Sequence, residues 1–293
     1  MRIALLGDIH YYTLRLTTRQ WLNRRILGQT NLLISRRKRF VHDVLPGLVD
    51  RLRTTSPDLV LCAGDLSTTS LEREFAKASA LLDPLHRDVP VVVVPGNHDR
   101  YTYHSRRHRS MENVLGDIMP ARFPHVRDLR ERWRLLALDA AIPNVLSSRG
   151  RLGDEQLERF ARDMAAIEPD QGVVILCHYP VSVPRGVAKI WTHDLKEERA
   201  VRHAIAACRG RVVYLHGHVH RPWRHDADRR GLRVTSINAG SPSFASDRYP
   251  LGQGFWTIDL PDDPADDLTA EHHAPFPHDA DERRWIVTRP ESV

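Results

Sequence analysis

Cysteine is scarce in this chain: Cys62, Cys177 and Cys208 are the only three among 293 residues. An odd, sparse set excludes a disulfide framework as the organising device and predicts a reducing compartment, the cytosol. Cys62 and Cys177 end apolar runs and read as small buried hydrophobes. Long hydrophobic runs are missing as well. No apolar stretch approaches the roughly 18 residues that would cross a bilayer. Met1 to Asp8 runs straight into a strand-like segment, without the apolar core and cleavage site of a signal peptide. The expectation is a cytoplasmic protein. Internal repeats and low-complexity tracts are also absent, which excludes repeat architectures.

One further absence is local. Between Asp8 and Asp43 there is no acid, while Arg15, Arg19, Arg24, Arg25, Arg36, Arg37, Lys38 and Arg39 fall in that window. These are interleaved with Trp21, Leu22, Ile26, Leu27, Leu32, Leu33 and Ile34. Three readings of residues 15–39 stay open, in order of preference. They are helices packing an apolar face on the domain with arginines in water, a contact with an anionic membrane or lipid substrate, and a grip on nucleic-acid backbone. The acids Asp262, Asp263, Asp266 and Asp267 lie at the other end, and the net charge is +6. A basic flank suggests an anionic substrate or surface.

What is present is a regular alternation of strands and helices. Apolar runs at 2–7, 58–63, 91–94, 134–138, 173–177, 211–215, 232–238 and 254–260 read as strands. Helical periods follow at 13–28, at 31–53 with a break expected at Pro46-Gly47, after a Thr69/Glu72 capping box, from Asp154 as N-cap, and around 195–208. Arg100 to Ser110 has no apolar period and reads as a loop. Residues 284–288 read as a weak terminal strand. This predicts an α/β fold, with one domain over 1–260 carrying a basic helical insert at about 13–53, and a C-terminal extension over 261–293 packed on it.

Five short stretches sit near the ends of the strands: Asp8-Ile9-His10, Gly64-Asp65, Gly96-Asn97-His98-Asp99, His178 and Gly217-His218-Val219-His220. Carboxylates, imidazoles and an amide oxygen are donors for hard-to-borderline divalent metals. Two donors separated by one residue can reach a metal from one short loop, and a carboxylate with two oxygens can bridge two ions. In such a site ions about 3.5–4 Å apart acidify water and clamp a phosphoryl group. In α/β folds ligands gather where strands end.

With these motifs the chain resembles the calcineurin-like metallophosphoesterase superfamily, whose pattern is Asp-x-His, Gly-Asp, Gly-Asn-His-Asp/Glu, a lone His and Gly-His-x-His. All five occur in order over residues 8–220. The resemblance implies two mixed β-sheets packed as a sandwich flanked by helices. It implies that Asp8, His10, Asp65 and His220 bind one metal, and that Asp65, Asn97, His178 and His218 bind the other, with Asp65 bridging. The ions would be Mn, Fe or Zn. His98 would contact the phosphate and assist the leaving oxygen, oriented by Asp99. His216 lies outside the pattern and reads as structural.

The function expected is a metal-dependent phosphohydrolase, a phosphodiesterase using a hydroxide bridged between two metals. One alternative is a UDP-diacylglucosamine-type pyrophosphatase at the membrane surface, favoured by the basic insert. Another is a non-catalytic scaffold of the same fold, disfavoured because no ligand of the pattern is missing. His104, Arg106 and His108 read either as the substrate entrance or as a solvated loop.

Overall fold

The computed structural model describes residues 1–13, 40–130, 132–144, 147–184, 193–229, 232–245, 253–275 and 285–289. The basic run at 15–39, the helix expected at 13–28 and the first part of that at 31–53 lie outside the described residues, apart from Thr13.

Parallel strands with short apolar sequences form the centre of each of two sheets. The first holds β1 (Arg2–Leu6), β2 (Leu59–Cys62) and β3 (Val91–Val93), all parallel. Antiparallel β10 (Phe255–Asp259), β11 (Thr269–Pro275) and β12 (Trp285–Thr288) extend it beyond β1, in the order β12-β11-β10-β1-β2-β3. The second sheet runs β4-β5-β6-β7-β9-β8. Its parallel centre is β5 (Trp133–Ala137), β6 (Gly172–Leu176), β7 (Arg211–His216) and β9 (Leu232–Asn238). Its antiparallel edges are β4 (His125–Arg130) and β8 (Trp223–Arg229).

The alternation of side chains along each strand decides the layering. Ile3, Leu5, Leu59, Leu61 and Val92 point inward and meet Leu135, Val174, Leu176, Val213 and Leu215 of the second sheet. Their neighbours Ala4, Leu6, Val60 and Val93 face outward, against α1 (Leu45–Thr54) and α2 (Glu72–Asp88). On the other side Leu136, Val173, Ile175 and Val212 receive α5 (Asp154–Ala165) and α6 (Glu198–Ala207). Strands buried on both faces must be apolar throughout, which is why these runs read continuously rather than alternately. The result is two mixed sheets packed face to face between helices, with each buried Leu, Ile or Val contributing about 1.5–3 kcal/mol.

Several local expectations are corrected. The break expected at Pro46-Gly47 falls just ahead of Pro46: residues 40–44 are not helical, α1 starts at Leu45, and Pro46 lies in its first turn, where its missing N–H has no partner to lose. The acid that caps α2 is Glu74 rather than Glu72, because the helix starts at Glu72 with Leu71 as N-cap. Glu74 accepts from the N–H groups of Leu71 (3.3 Å), Thr69 (2.8 Å) and Thr13 (3.1 Å). Gly153, at φ 80°, is the N-cap of α5, and Asp154 is its first helical residue. The segment read as a loop after Arg100 contains the short helix α3 (Tyr103–Arg107), capped by Thr102 Oγ1 accepting from Ser105 N, and the start of α4 (Ser110–Leu115). Strands β4, β8 and β11 carry so many charged and polar residues that periodicity did not reveal them. β4 and β8 are the edges of their sheet and β11 is covered on its outer side only by the short β12, so polar side chains suffice there.

Candidate metal centre

The C-terminal ends of β1, β2, β3, β6 and β7 deliver the five stretches to one place. The connecting turns are zipped together by the backbone: Asp8 N–H donates to Gly64 O (2.7 Å), His10 N–H to Asp65 O (2.9 Å) and Gly217 N–H to His178 O (3.1 Å). Asp8, His10, Asp65, His218 and His220 all adopt positive φ, between 54° and 76°. Left-handed backbone costs a non-glycine residue roughly 1–2 kcal/mol, and persists where surrounding bonds over-determine it. Here it turns five side chains sharply off their strands toward a common centre.

Two donor clusters result. Asp8, His10, Asp65 and His220 form one; Asp65, His178 and His218 form the other. In the first, His10 Nε2 lies 2.8 Å from His220 Nε2 and 3.6 Å from Asp65 Oδ2, and His220 Nε2 lies 3.3 Å from Asp8 Oδ1. In the second, His178 Nε2 lies 3.1 Å from both Asn97 Oδ1 and His218 Nδ1, and 3.5 Å from Asp65 Oδ2. Asp65 Oδ2 therefore faces both groups. Its other oxygen is taken by His98 N–H at 2.8 Å, which fixes the carboxylate plane.

The chemistry of these donors fits divalent ions. His178 is fully buried and burial lowers its pKa, so it is neutral with one proton. That proton goes from Nδ1 to the Ala63 carbonyl (2.7 Å), leaving a lone pair on Nε2. The lone pair points at an acceptor-only carboxylate. The pKa of His218 is pushed well below the usual value, first by burial and then by neighbouring imidazoles. Spacings near 3 Å match the edges of a coordination shell with bonds of about 2.0–2.2 Å. Lone pairs gathered this closely are repulsive without a cation at their focus.

Burial pushes the Asp8 carboxyl up to about 7, opposed by the neighbouring His178 and by the N–H of His218. The metal-holding form is the carboxylate, so cation uptake below pH 7 must expel this proton. Affinity therefore rises with pH and levels off above about 7, falling roughly tenfold per unit below it. Calorimetry in buffers of different ionisation enthalpy should count about one proton released near pH 6 and almost none near pH 8. Equal counts at both would exclude Asp8 as the linked group.

Two glycines allow the carboxylates their positions. A Cβ on Gly96 would stand 2.2 Å from Asp65 Oδ1, and one on Gly217 would stand 2.2 Å from Asp8 Oδ2. Gly96→Ala and Gly217→Ala should each weaken metal retention about 10–100-fold, the scale of lost support around a ligand. Competition against a chelator, followed by elemental analysis, measures it.

His98 stands edge-on to the His10 ring at 4.9 Å, with Nδ1 donating to the Thr68 carbonyl (2.8 Å). This corrects the role expected of Asp99. Its carboxylate is buried, pushed up to about 6 by burial and by the charge of Asp65, and it accepts from Ser67 N, Ser67 Oγ, Leu66 N and Gly96 N. Asp99 ties two site loops together, while a backbone carbonyl orients the imidazole. His216 is buried, with a pKa pushed down to about 3 by burial, and sits among Ser236 and Asn238. His104, Arg106 and His108 are exposed on and just after α3, where the His104 and His108 rings pack on each other at 4.2 Å.

The structure adds residues that no motif announced. Phe40 packs on His10 (4.7 Å) and on His220 (5.8 Å), and Tyr179 on His178 (5.2 Å) and His218 (4.8 Å). Ser241 Oγ and Ser243 Oγ donate to the Asp8 and Ile9 carbonyls, and Asn238 Nδ2 to the Gly217 carbonyl. The polar Asn-Ala-Gly-Ser run after β9 was their one signal; the carbonyls of Ala63 and Thr68 had none.

Known proteins resemble this chain in sequence and in fold. The chain is 26% identical over 215 residues to a probable cyclic nucleotide phosphodiesterase of Synechococcus sp., covering 72% of this chain and 75% of that protein. It is 26% identical over 196 residues to the 3′,5′-cyclic adenosine monophosphate phosphodiesterase CpdA of Vibrio vulnificus, covering 66% of each, just under two thirds. In fold it is similar to a dimetal phosphatase from Danio rerio, with a TM-score of 0.63 at 15% identity over 93% of this chain and 96% of that one. The calcineurin-like phosphoesterase family matches residues 1–222. The chain belongs to that family and is a metallophosphoesterase, a hydrolase of phosphoric esters.

Proposed function

We propose that the protein is a phosphodiesterase working with two divalent ions, Mn, Fe or Zn, and that its substrates include 3′,5′-cyclic nucleotides. The observation that carries the reading is the Asp65 carboxylate, whose Oδ2 lies 3.6 Å from His10 Nε2 and 3.5 Å from His178 Nε2, one oxygen between two donor clusters. Asp8, His10, Asp65 and His220 would hold one ion, and Asp65, Asn97, His178 and His218 would hold the other. When bound, the ions supply a charge clamp for phosphoryl oxygens and lower the pKa of water. The two carboxylates set the charge of the site, and the neutral Asn97 oxygen adds a donor without lowering it further. His98, held at Nδ1 by Thr68, donates a proton to the leaving oxygen from its other nitrogen when the ring is an imidazolium, and is left as the neutral Nδ1–H tautomer. The cyclic nucleotide class comes from the named activities of the relatives.

The test is hydrolysis of bis-p-nitrophenyl phosphate and of cyclic AMP by the purified protein, with Mn²⁺ and after chelation. Turnover of neither substrate with Mn²⁺ would overturn the reading. Among the described residues no helix is long and apolar enough to cross a membrane. Flotation with neutral and with anionic vesicles tests the surface contact expected of residues 15–39; equal recovery on both removes it.

A further inference from the structure

Beside the His178/His218 half of the centre lies a basic hollow of about 590 Å³ that none of the chemistry above uses. His193 reaches from its rim to the metal centre, its ring 5.6 Å from that of His218. Asp194 and Lys196, one and three residues further on, already line the hollow. Consecutive Cα atoms are about 3.8 Å apart, so it opens within roughly 10–15 Å of His218.

Its walls come from separate stretches of chain. Arg149 approaches from the segment that pairs at Gly150 with Leu195, and Arg199 and Arg202 come from the first turns of α6. Two acids, Asp194 and Glu198, also line the hollow, so its cations outnumber its carboxylates; Glu198 pairs with Arg202, and Glu197 nearby is engaged with Leu152 N–H and Arg151. Arg149, Lys196 and Arg199 make no ion pair among the described residues, and Arg149 Nε is buried without a hydrogen-bond partner among them. An ordinary solvated face would be convex, with its cations paired along the helix or spread apart. Here unpaired cations converge on a concavity beside a phosphoryl-transfer centre. That arrangement is repulsive alone and is relieved by an anion of several charges.

We propose that this hollow is a second anion site, taking a phosphate group remote from the one being hydrolysed. It rests on the phosphodiesterase reading only for the identity of the reaction. The phosphate can belong to the substrate, as a terminal phosphate of a nucleotide diester, or to a separate oligophosphate that modulates turnover.

The experiment uses the metal-loaded full chain and the double variant Lys196→Glu, Arg199→Glu, both exposed positions whose exchange leaves the core intact. KM is measured for a dinucleotide with and without a 5′-terminal phosphate. The double variant should raise KM for the phosphorylated form at least about tenfold more than for the unphosphorylated one. The preference in the parent protein should weaken between 0.15 and 0.5 M salt as the screening length shortens. In the second arm, inorganic tripolyphosphate is titrated against bis-p-nitrophenyl phosphate hydrolysis, with orthophosphate as control. A tripolyphosphate effect that disappears in the double variant, with equal KM ratios in the first arm, assigns the site to a separate anion. If neither arm distinguishes the variant from the parent, the anion site is wrong. The function reading then still stands or falls on diester turnover itself.

Discussion

Asp65→Asn should empty the centre and reduce diester turnover by at least about 10³-fold, the scale of losing charge stabilisation in a preorganised site. Asparagine is the informative replacement. Asp65 sits at φ 54°, and Asn tolerates the left-handed region almost as well, so the backbone has no new reason to move. Its amide oxygen can still accept from His98 N–H, as Asp65 Oδ1 does at 2.8 Å. What changes is the face toward the donors. An NH₂ replaces the oxygen that lies 3.6 Å from His10 Nε2 and 3.5 Å from His178 Nε2, and the negative charge that both clusters share is gone. Elemental analysis should fall from two ions per chain to one or fewer, with the circular dichroism spectrum unchanged. Retention of both ions would mean that Asp65 does not bridge.

His98→Asn should instead spare the metals and strike the leaving group. An Asn side chain can place an N–H near the position of His98 Nδ1 and keep the bond to the Thr68 carbonyl. It cannot supply the second ring nitrogen. Cyclic AMP expels a sugar alkoxide, which needs a proton as the P–O bond breaks, and general acid catalysis is worth about 10²–10⁴-fold. The loss should fall in that range for cyclic AMP and be far smaller for bis-p-nitrophenyl phosphate, whose p-nitrophenolate leaves without help. Equal losses on the two substrates would remove His98 as the acid and leave it a phosphate-binding role. Because Asp99 bonds to backbone N–H groups and to Ser67 rather than to this imidazole, Asp99→Asn should disturb loop placement and not the leaving-group dependence.

Much of this site was legible before any coordinate. Donor residues of the right kinds, spaced one apart in Asp8/His10 and His218/His220 and placed at the ends of apolar runs, carry their own chemistry, because ligand atoms must be side-chain atoms. Their supports are different. The Ala63 and Thr68 carbonyls that set the His178 and His98 tautomers belong to residues of no special type, so no motif can mark them. The aromatic backing of Phe40 and Tyr179 reads in sequence as ordinary core.

The same division holds for the fold. Central strands such as β1, β2 and β6 are buried on both faces, and continuous apolar runs declare them. Edge strands β4 and β8 need only one neighbour, and β11 lies second from its edge, so their polar sequences hide them. By itself, then, the sequence determined the donors, their order, the strand ends that present them and hence the family chemistry. Tertiary structure decided which oxygen of Asp65 faces both clusters and which partner orients His98. It also decided that Arg149 and Arg199 meet across one hollow. Those outcomes depend on contacts between residues tens to hundreds apart, and on backbone groups that are alike in every residue, so only the packed chain specifies them.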